Sequence, residues 1–267
     1  MDGLTHIANA FASARAEGRA ALMPYFTLGF PDSQASLSIL ESIAASGADL
    51  IELGVPFSDP LADGPTIQHS TQVALEHGTS MAVCLDLTAK IRERGITQPL
   101  LLMGYYNPIL AYGIERFVGE AAAAGADGFI IPDLPPEEAS EMEAACQHHR
   151  LALVYLLAPT STPERIAEVA GRSTGFVYLV SLTGVTGARQ SLPADLEAFI
   201  SRVRSFTEKP LAVGFGISTP EQAGNVGRLA DGVIIGSALI STVEHADVPS
   251  IAAGQFVSGM RRALAAV

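Results

Sequence analysis

Two carboxylates in this chain stand where an acid pair could work. Glu52 lies inside the apolar run Asp49-Leu50-Ile51-Glu52-Leu53-Gly54, and Asp63 lies in the loop Val55-Pro56-Phe57-Ser58-Asp59-Pro60-Leu61-Ala62-Asp63-Gly64-Pro65 that follows it. An ionisable group in a buried strand costs free energy unless it is paired or functional, so Glu52 reads either as half of a buried ion pair or as a chemical group. Asp63 sits in a loop stiffened by three prolines. Taken singly, it or Asp59 could equally close an Asx-turn. An interior Glu would have its pKa raised by desolvation, which favours shuttling a proton near neutral pH.

Three glycine-bearing segments carry a second signal: Ser181-Leu182-Thr183-Gly184-Val185-Thr186-Gly187, Gly214-Phe215-Gly216-Ile217-Ser218 and Gly236-Ser237-Ala238. Glycine lets backbone N–H groups approach an anion closely, and a helix starting there points further N–H groups at it. One such glycine is usually a turn residue; three in consecutive units suggest a phosphate cradle. The residue inventory also excludes some chemistry. The lysines are Lys90, within a helical pattern, and Lys209, ahead of a strand, so neither is placed for a Schiff base. His69, His77, His148 and His149 fall on helical segments, and no histidine cluster follows a strand, which argues against a metal-dependent aldolase and predicts no metal site. Cys84 and Cys146 lie far apart within helical segments and read as buried thiols.

Those residues need a scaffold that brings loop ends together. Continuous apolar runs, the mark of parallel strands buried on both faces, occur at Ala21–Leu28, Leu50–Leu53, Leu100–Met103, Gly128–Ile131, Leu151–Leu157, Phe176–Val180, Leu211–Val213 and Gly232–Ile235. Segments of helical period alternate with them: Ser33–Ser46, Gln68–Arg94, Ile114–Ala124, Glu137–His148, Pro163–Ala170, Asp195–Ser205, Pro220–Arg228 and a stretch from Ile251. A weak repeat marks the entries to strands: Gly47-Ala48-Asp49, Gly125-Ala126-Asp127 and Ala230-Asp231-Gly232. Met1 to Gly18 adds an amphipathic stretch before the first strand. The expected fold is α/β, a (β/α)8 TIM barrel with an extra N-terminal helix, forming one domain over residues 1–267. An open doubly wound sheet is the alternative. In a closed barrel, chemistry sits on the loops after the strands, where Asp63 and the glycine segments fall, with Glu52 near the C-terminal end of its strand.

Composition agrees. A 48% hydrophobic, 16% charged chain can bury a sizeable core, and a net charge of −12 disfavours nucleic acid and anionic membranes as partners. No apolar run is long enough to span a bilayer, and the first residues do not resemble a signal peptide, so a cytoplasmic location is expected.

The run from Ile51 to Gln68 resembles the signature of the tryptophan synthase α-subunit family, as do Tyr25-Phe26-Thr27-Leu28-Gly29, Gly184-Val185-Thr186-Gly187 and Gly214-Phe215-Gly216-Ile217-Ser218. The likeness runs in order from about residue 5 to 245. It implies a lyase that cleaves indole-3-glycerol phosphate into indole and glyceraldehyde 3-phosphate. By the same likeness Glu52 is the catalytic acid/base, Asp63 its partner at the indole nitrogen and Tyr178 a supporting hydroxyl. Gly187, Gly216, Gly236 and Ser237 would hold the phosphate, and Tyr25, Leu102, Ile130 and Phe215 would line the indole slot. Residue patterns alone would assign most of that last group to the core. The resemblance further implies no cofactor in this chain and an α2β2 assembly with a β subunit that carries pyridoxal phosphate. The loops holding Asp59, Pro60, Asn107 and Pro108 would face that partner. A free-standing lyase, a binding subunit without activity and a sugar-phosphate isomerase on the same barrel are the competing readings. Departures fall away from the acid pair: Tyr25 stands where Phe is common, and Met103–Pro108 and Leu182-Thr183 vary.

Overall fold

Strands that are apolar on both faces pair side by side and are covered by helices, and this chain closes them almost completely. The computed structural model describes residues 2–180, 195–214 and 216–265. Among these, α1 (Gly3–Ala16) precedes β1 (Ala21–Thr27), α2 (Ser33–Ala45), β2 (Ile51–Gly54), α3 (Pro65–Glu76), α4 (Met81–Glu93) and β3 (Leu100–Met103). Then come α5 (Tyr106–Tyr112), α6 (Ile114–Ala124), β4 (Gly128–Ile130), α7 (Ser140–His149), β5 (Ala152–Val154), β6 (Leu156–Leu157) and α8 (Pro163–Arg172). The chain continues with β7 (Val177–Val180), α9 (Leu196–Arg204), β8 (Leu211–Gly214), α10 (Pro220–Gly227), β9 (Gly232–Ile235), α11 (Ser237–Glu244) and α12 (Pro249–Ala265).

All pairings are parallel, in the order β5-β4-β3-β2-β1-β9-β8-β7-β6. The single expected strand Leu151–Leu157 is interrupted at Tyr155, so β5 pairs with β4 and β6 with β7. Tyr155 turns its N–H to Ser173 Oγ (3.2 Å), while its carbonyl accepts from Tyr178 N (3.1 Å). Counting that broken strand once gives the eight-fold barrel. The expected helix Gln68–Arg94 is two helices. Its periodicity carries through, but Gly78 takes φ +81°, closing α3, and Ser80 caps α4. The loop segment from Tyr106 forms α5, with Pro108 in the first turn, where a missing N–H costs nothing.

The period of two sorts each strand. Leu22, Phe26, Ile51, Leu53, Leu100 and Leu102 face the helices, while Ala21, Met23, Leu50, Leu101, Ala212 and Ile234 fill the interior. That inner core continues onto α1 through Ile7, Phe11 and Ala14, with Phe11 5.6 Å from Phe176 between ring centroids. Helix α1 therefore seals the base, and burying side chains such as Ile7 and Phe11 stabilises by about 1.5–3 kcal/mol each. Gly3 is required there, since a Cβ would lie 2.2 Å from the Asp127 carbonyl oxygen.

The repeated Gly/Ala-Asp segments have one job at this base. Asp49, ahead of β2, accepts from Leu22 N of β1 (2.8 Å) and forks with Arg19 (2.6 and 2.7 Å). Asp127, ahead of β4, accepts from Leu100 N of β3 (2.8 Å), from Arg92 (2.6 Å) and from His6 Nδ1 (2.8 Å). Asp231, ahead of β9, accepts from Leu211 N of β8 (2.9 Å) and pairs with Arg15 and Arg204. Thr174 plays the same part for Leu153 N (2.7 Å). Each side chain fills the backbone donor left open at the foot of a neighbouring strand.

Candidate active site

The opposite end of the barrel is built differently. Glu52 points inward from β2, in register with Tyr25 of β1 and Leu101 of β3. It is fully buried, and neither carboxylate oxygen has a hydrogen-bond partner among the described residues. No cation among the described residues pairs with it, which argues against the ion-pair reading. Burial alone pushes its pKa up to about 8, so the group is largely a neutral acid at neutral pH.

Asp63 hangs over the same space from the loop between β2 and α3. Pro65 opens α3, and the amide of Gln68 donates back to the Asp63 carbonyl (2.8 Å), which fixes the backbone of the turn. The Tyr105 hydroxyl accepts from Ala62 N (2.9 Å) and donates to Asp63 Oδ2 (3.1 Å). Desolvation raises the Asp63 pKa to about 6, against the lowering by that hydroxyl. The two acids are thus set apart: near neutral pH, Asp63 is mostly ionised and Glu52 mostly protonated.

Two tyrosines complete the walls, and a glycine makes room for each. A Cβ on Gly54 would lie 2.1 Å from the Tyr25 hydroxyl, and one on Gly214 would lie 2.7 Å from that of Tyr178. Burial raises the pKa of both phenols, and the nearby carboxylates add to it, so both stay protonated. Tyr25 contacts Thr27 Oγ1 (3.4 Å), which bonds Ser70 Oγ of α3 (2.7 Å).

Across the cavity lie Gly216 and the start of α11. Gly236 begins α11 without a side-chain cap, leaving the first-turn N–H groups for a ligand, and Ser237 is the first helical residue. Gly216 takes φ +68°, a conformation that favours glycine. The cavity, about 500 Å³ and open to solvent, is lined by Tyr25, Glu52, Asp63, Tyr178, Gly216, Gly236 and Ser237. It brings seven of the expected site residues together.

Leu102 is not among them. It lies on the outward face of β3 against the helices, and its neighbour Met103 lines the cavity instead. Ile130 faces the interior but is fully buried and does not reach the cavity surface. Gly187 and Phe215 lie outside the described residues. Gly214 and Ile217 of the glycine segment also line the cavity, as do Met103, Ile234 and Ile67, which were missed; Met103 follows from counting two along β3 from Leu101, the register partner of Glu52. Tyr105, which holds Asp63, carries no signal in sequence beyond its place in the loop after β3. The lysines are elsewhere. Lys209 Nζ donates to the carbonyls of Ala170 (2.7 Å) and Ser173 (2.6 Å), and Lys90 pairs with Asp86 on α4.

A barrel with a buried interior acid, a second carboxylate on the same cavity and a helix start at its rim has the arrangement of an acid–base enzyme. Comparison with known proteins narrows the class. The sequence model of the tryptophan synthase alpha chain family matches residues 11–263. The chain is 54% identical over 242 residues to the tryptophan synthase alpha chain of Chloroflexus aggregans, covering 91% of each chain. It is 50% identical over 262 residues to that of Citrifermentans bemidjiense, covering 97% of each. Among solved structures, Legionella pneumophila tryptophan synthase subunit alpha superposes with a TM-score of 0.92 at 38% identity, covering all of both chains. A chain of Mycobacterium tuberculosis tryptophan synthase gives 0.91 at 39% identity, covering 97% of each. The chain belongs to the tryptophan synthase alpha chain family, and like its members it is an enzyme.

Proposed function

We propose that Glu52 and Asp63 divide the acid–base work of the family's lyase reaction, the cleavage of indole-3-glycerol phosphate into indole and glyceraldehyde 3-phosphate. The observation that carries this reading is the fully buried, unpartnered Glu52 facing the same cavity as Asp63. Breaking the bond between indole C3 and the glycerol side chain requires a proton on C3, and the resulting cation carries its charge largely at N1. Glu52, protonated at neutral pH, supplies that proton. Ionised Asp63 accepts the N1–H and stabilises the charge. The Glu52 carboxylate so formed then takes the proton from the hydroxyl next to the breaking bond, and the retro-aldol step releases the aldehyde. The Tyr178 phenol supports the substrate from β7. The N–H groups at Gly216, Gly236 and Ser237 hold the phosphate, with Gly187 assigned to the same role by family likeness, and Phe215 is assigned by it to the indole slot.

The chain acts without a cofactor of its own. Its partner is a β subunit bearing pyridoxal phosphate, and the loops around Asp59, Pro60, Asn107 and Pro108 form the docking face. An exposed apolar residue, Leu61 at 94%, stands beside Asp59 and Pro60 and suits such a contact. No helix among the described residues is long and apolar enough to cross a membrane. A cytoplasmic location and no nucleic-acid partner are part of this proposal, the latter supported by the net charge of −12.

The test is indole release from indole-3-glycerol phosphate by wild type, Glu52→Gln and Asp63→Asn, with and without a β subunit. Both variants are expected to lose kcat by roughly 10²-fold or more while keeping the circular dichroism of the wild type. Near-normal turnover by Glu52→Gln would overturn the division of labour. Equal turnover with and without the β subunit would favour a free-standing lyase.

A further inference from the structure

We propose that Glu115, His148 and His149 form a binding site for a divalent transition-metal ion of zinc type, on the outer surface between α6 and α7. One donor atom from each side chain lies within 4.8 Å of the others, a set unique among the described residues. His149 Nε2 is 3.5 Å from Glu115 Oε1, and the two imidazole centroids are 4.8 Å apart with the rings nearly perpendicular, at 87°. Small shifts of exposed side chains bring three such donors onto one ion at about 2.0–2.2 Å.

The surroundings favour a bound cation. Gly119, one turn along α6 from Glu115, carries no side chain. A Cβ there would make ordinary contact, at 3.5 Å, with Cε1 and Nε2 of His149, so the imidazole stands over α6 at this position. Both histidines occupy the last turn of α7, the end of a helix that favours positive charge. The neighbouring guanidinium groups are engaged elsewhere. Arg116 donates to Glu120 (2.8 Å) and stacks on Tyr112, and Arg150 donates to Asp2 (2.9 Å). The ion-pair partner of Glu115 is His149.

The donor set decides the class of ion. Two imidazole nitrogens and one carboxylate suit zinc, nickel or copper, whereas calcium and magnesium take oxygen ligands. None of the three residues lines the catalytic cavity, so the ion has no part in the lyase reaction. It joins α6 to α7 and stabilises the folded chain by binding it and not the unfolded one. The plain alternative is a surface ion pair between His149 and Glu115, which predicts no metal affinity.

The experiment uses the full, untagged chain titrated with zinc chloride by calorimetry and with cobalt(II) chloride by visible absorption. The expected result is saturable 1:1 binding, a cobalt spectrum of nitrogen and oxygen ligation, and a Tm that rises with zinc but not with magnesium. His148→Gln and His149→Gln are each expected to weaken zinc binding by roughly tenfold or more, and Glu115→Gln by less. All three should keep wild-type indole release, which verifies folding, and Glu52→Gln should bind zinc as wild type does. Absence of saturable binding, or unchanged affinity in both histidine variants, would overturn the site.

Discussion

The two ends of the barrel treat carboxylates in opposite ways. At the base, Asp49, Asp127 and Asp231 each meet an arginine and a strand N–H, and every one locks a pair of strands. Burial alone would raise the Asp231 pKa, but the Leu211 N–H and Arg204 outweigh it and the value falls. At the mouth, among the described residues, the Glu52 carboxylate has no partner and that of Asp63 has one phenol, and both pKa values rise. The same residue chemistry serves stability where it is satisfied and reactivity where it is left unsatisfied. The difference comes from partners, since Glu52 and Asp127 are both buried.

The contrast predicts opposite pH dependence of stability. Glu52 has a folded pKa raised from 4.5 to about 8, so its stabilising contribution is complete below the unfolded value and is lost as pH rises through about 8. Glu52→Gln removes that loss. The variant is expected to be more stable than wild type at pH 9 by up to several kcal/mol, read from urea midpoints, with the gap closing towards pH 5. Asp231 has a depressed pKa, so its contribution is present above its unfolded value and disappears as pH falls through the folded one.

A smaller effect tests the base directly. Asp127→Ala leaves Arg92 and the Leu100 N–H without their carboxylate, and should cost about 3 kcal/mol of stability. Activity per folded molecule should not change, because Asp127 does not touch the cavity. A loss of kcat with unchanged stability would break the division between the two ends. The smallest effect belongs to Tyr105→Phe. Removing the hydroxyl that lowers the Asp63 pKa should move the acidic limb of the kcat profile upward from about 6, by roughly one unit or less. A profile that does not move would detach Asp63 from that limb.

Much of this was legible in the sequence because it is periodic or chemically costly. Continuous apolar runs marked the strands, and Glu52 stood out as a charge inside one of them. The Asp49, Asp127 and Asp231 repeats marked the base, although what they do there depends on Arg19, Arg92 and Arg204, which no local pattern ties to them. The break at Tyr155 was hidden within an unbroken apolar run, since it depends on Ser173 and Tyr178 from other segments. Leu102 was misplaced by one residue. In a strand such a slip moves a side chain to the other face, and Met103 is the residue that reaches the cavity. Tyr105, which holds Asp63, acts across loops whose approach only the folded chain defines.

The central claim is that Glu52 is kept as a neutral, unpartnered acid at the mouth of the barrel. Difference infrared spectroscopy of wild type against Glu52→Gln, titrated across pH 4–10, reads its carboxyl stretch directly. A protonated carboxyl band that persists at pH 7 and is lost with a midpoint near 8 is the expected result. A midpoint near the ordinary 4.5 would contradict the account.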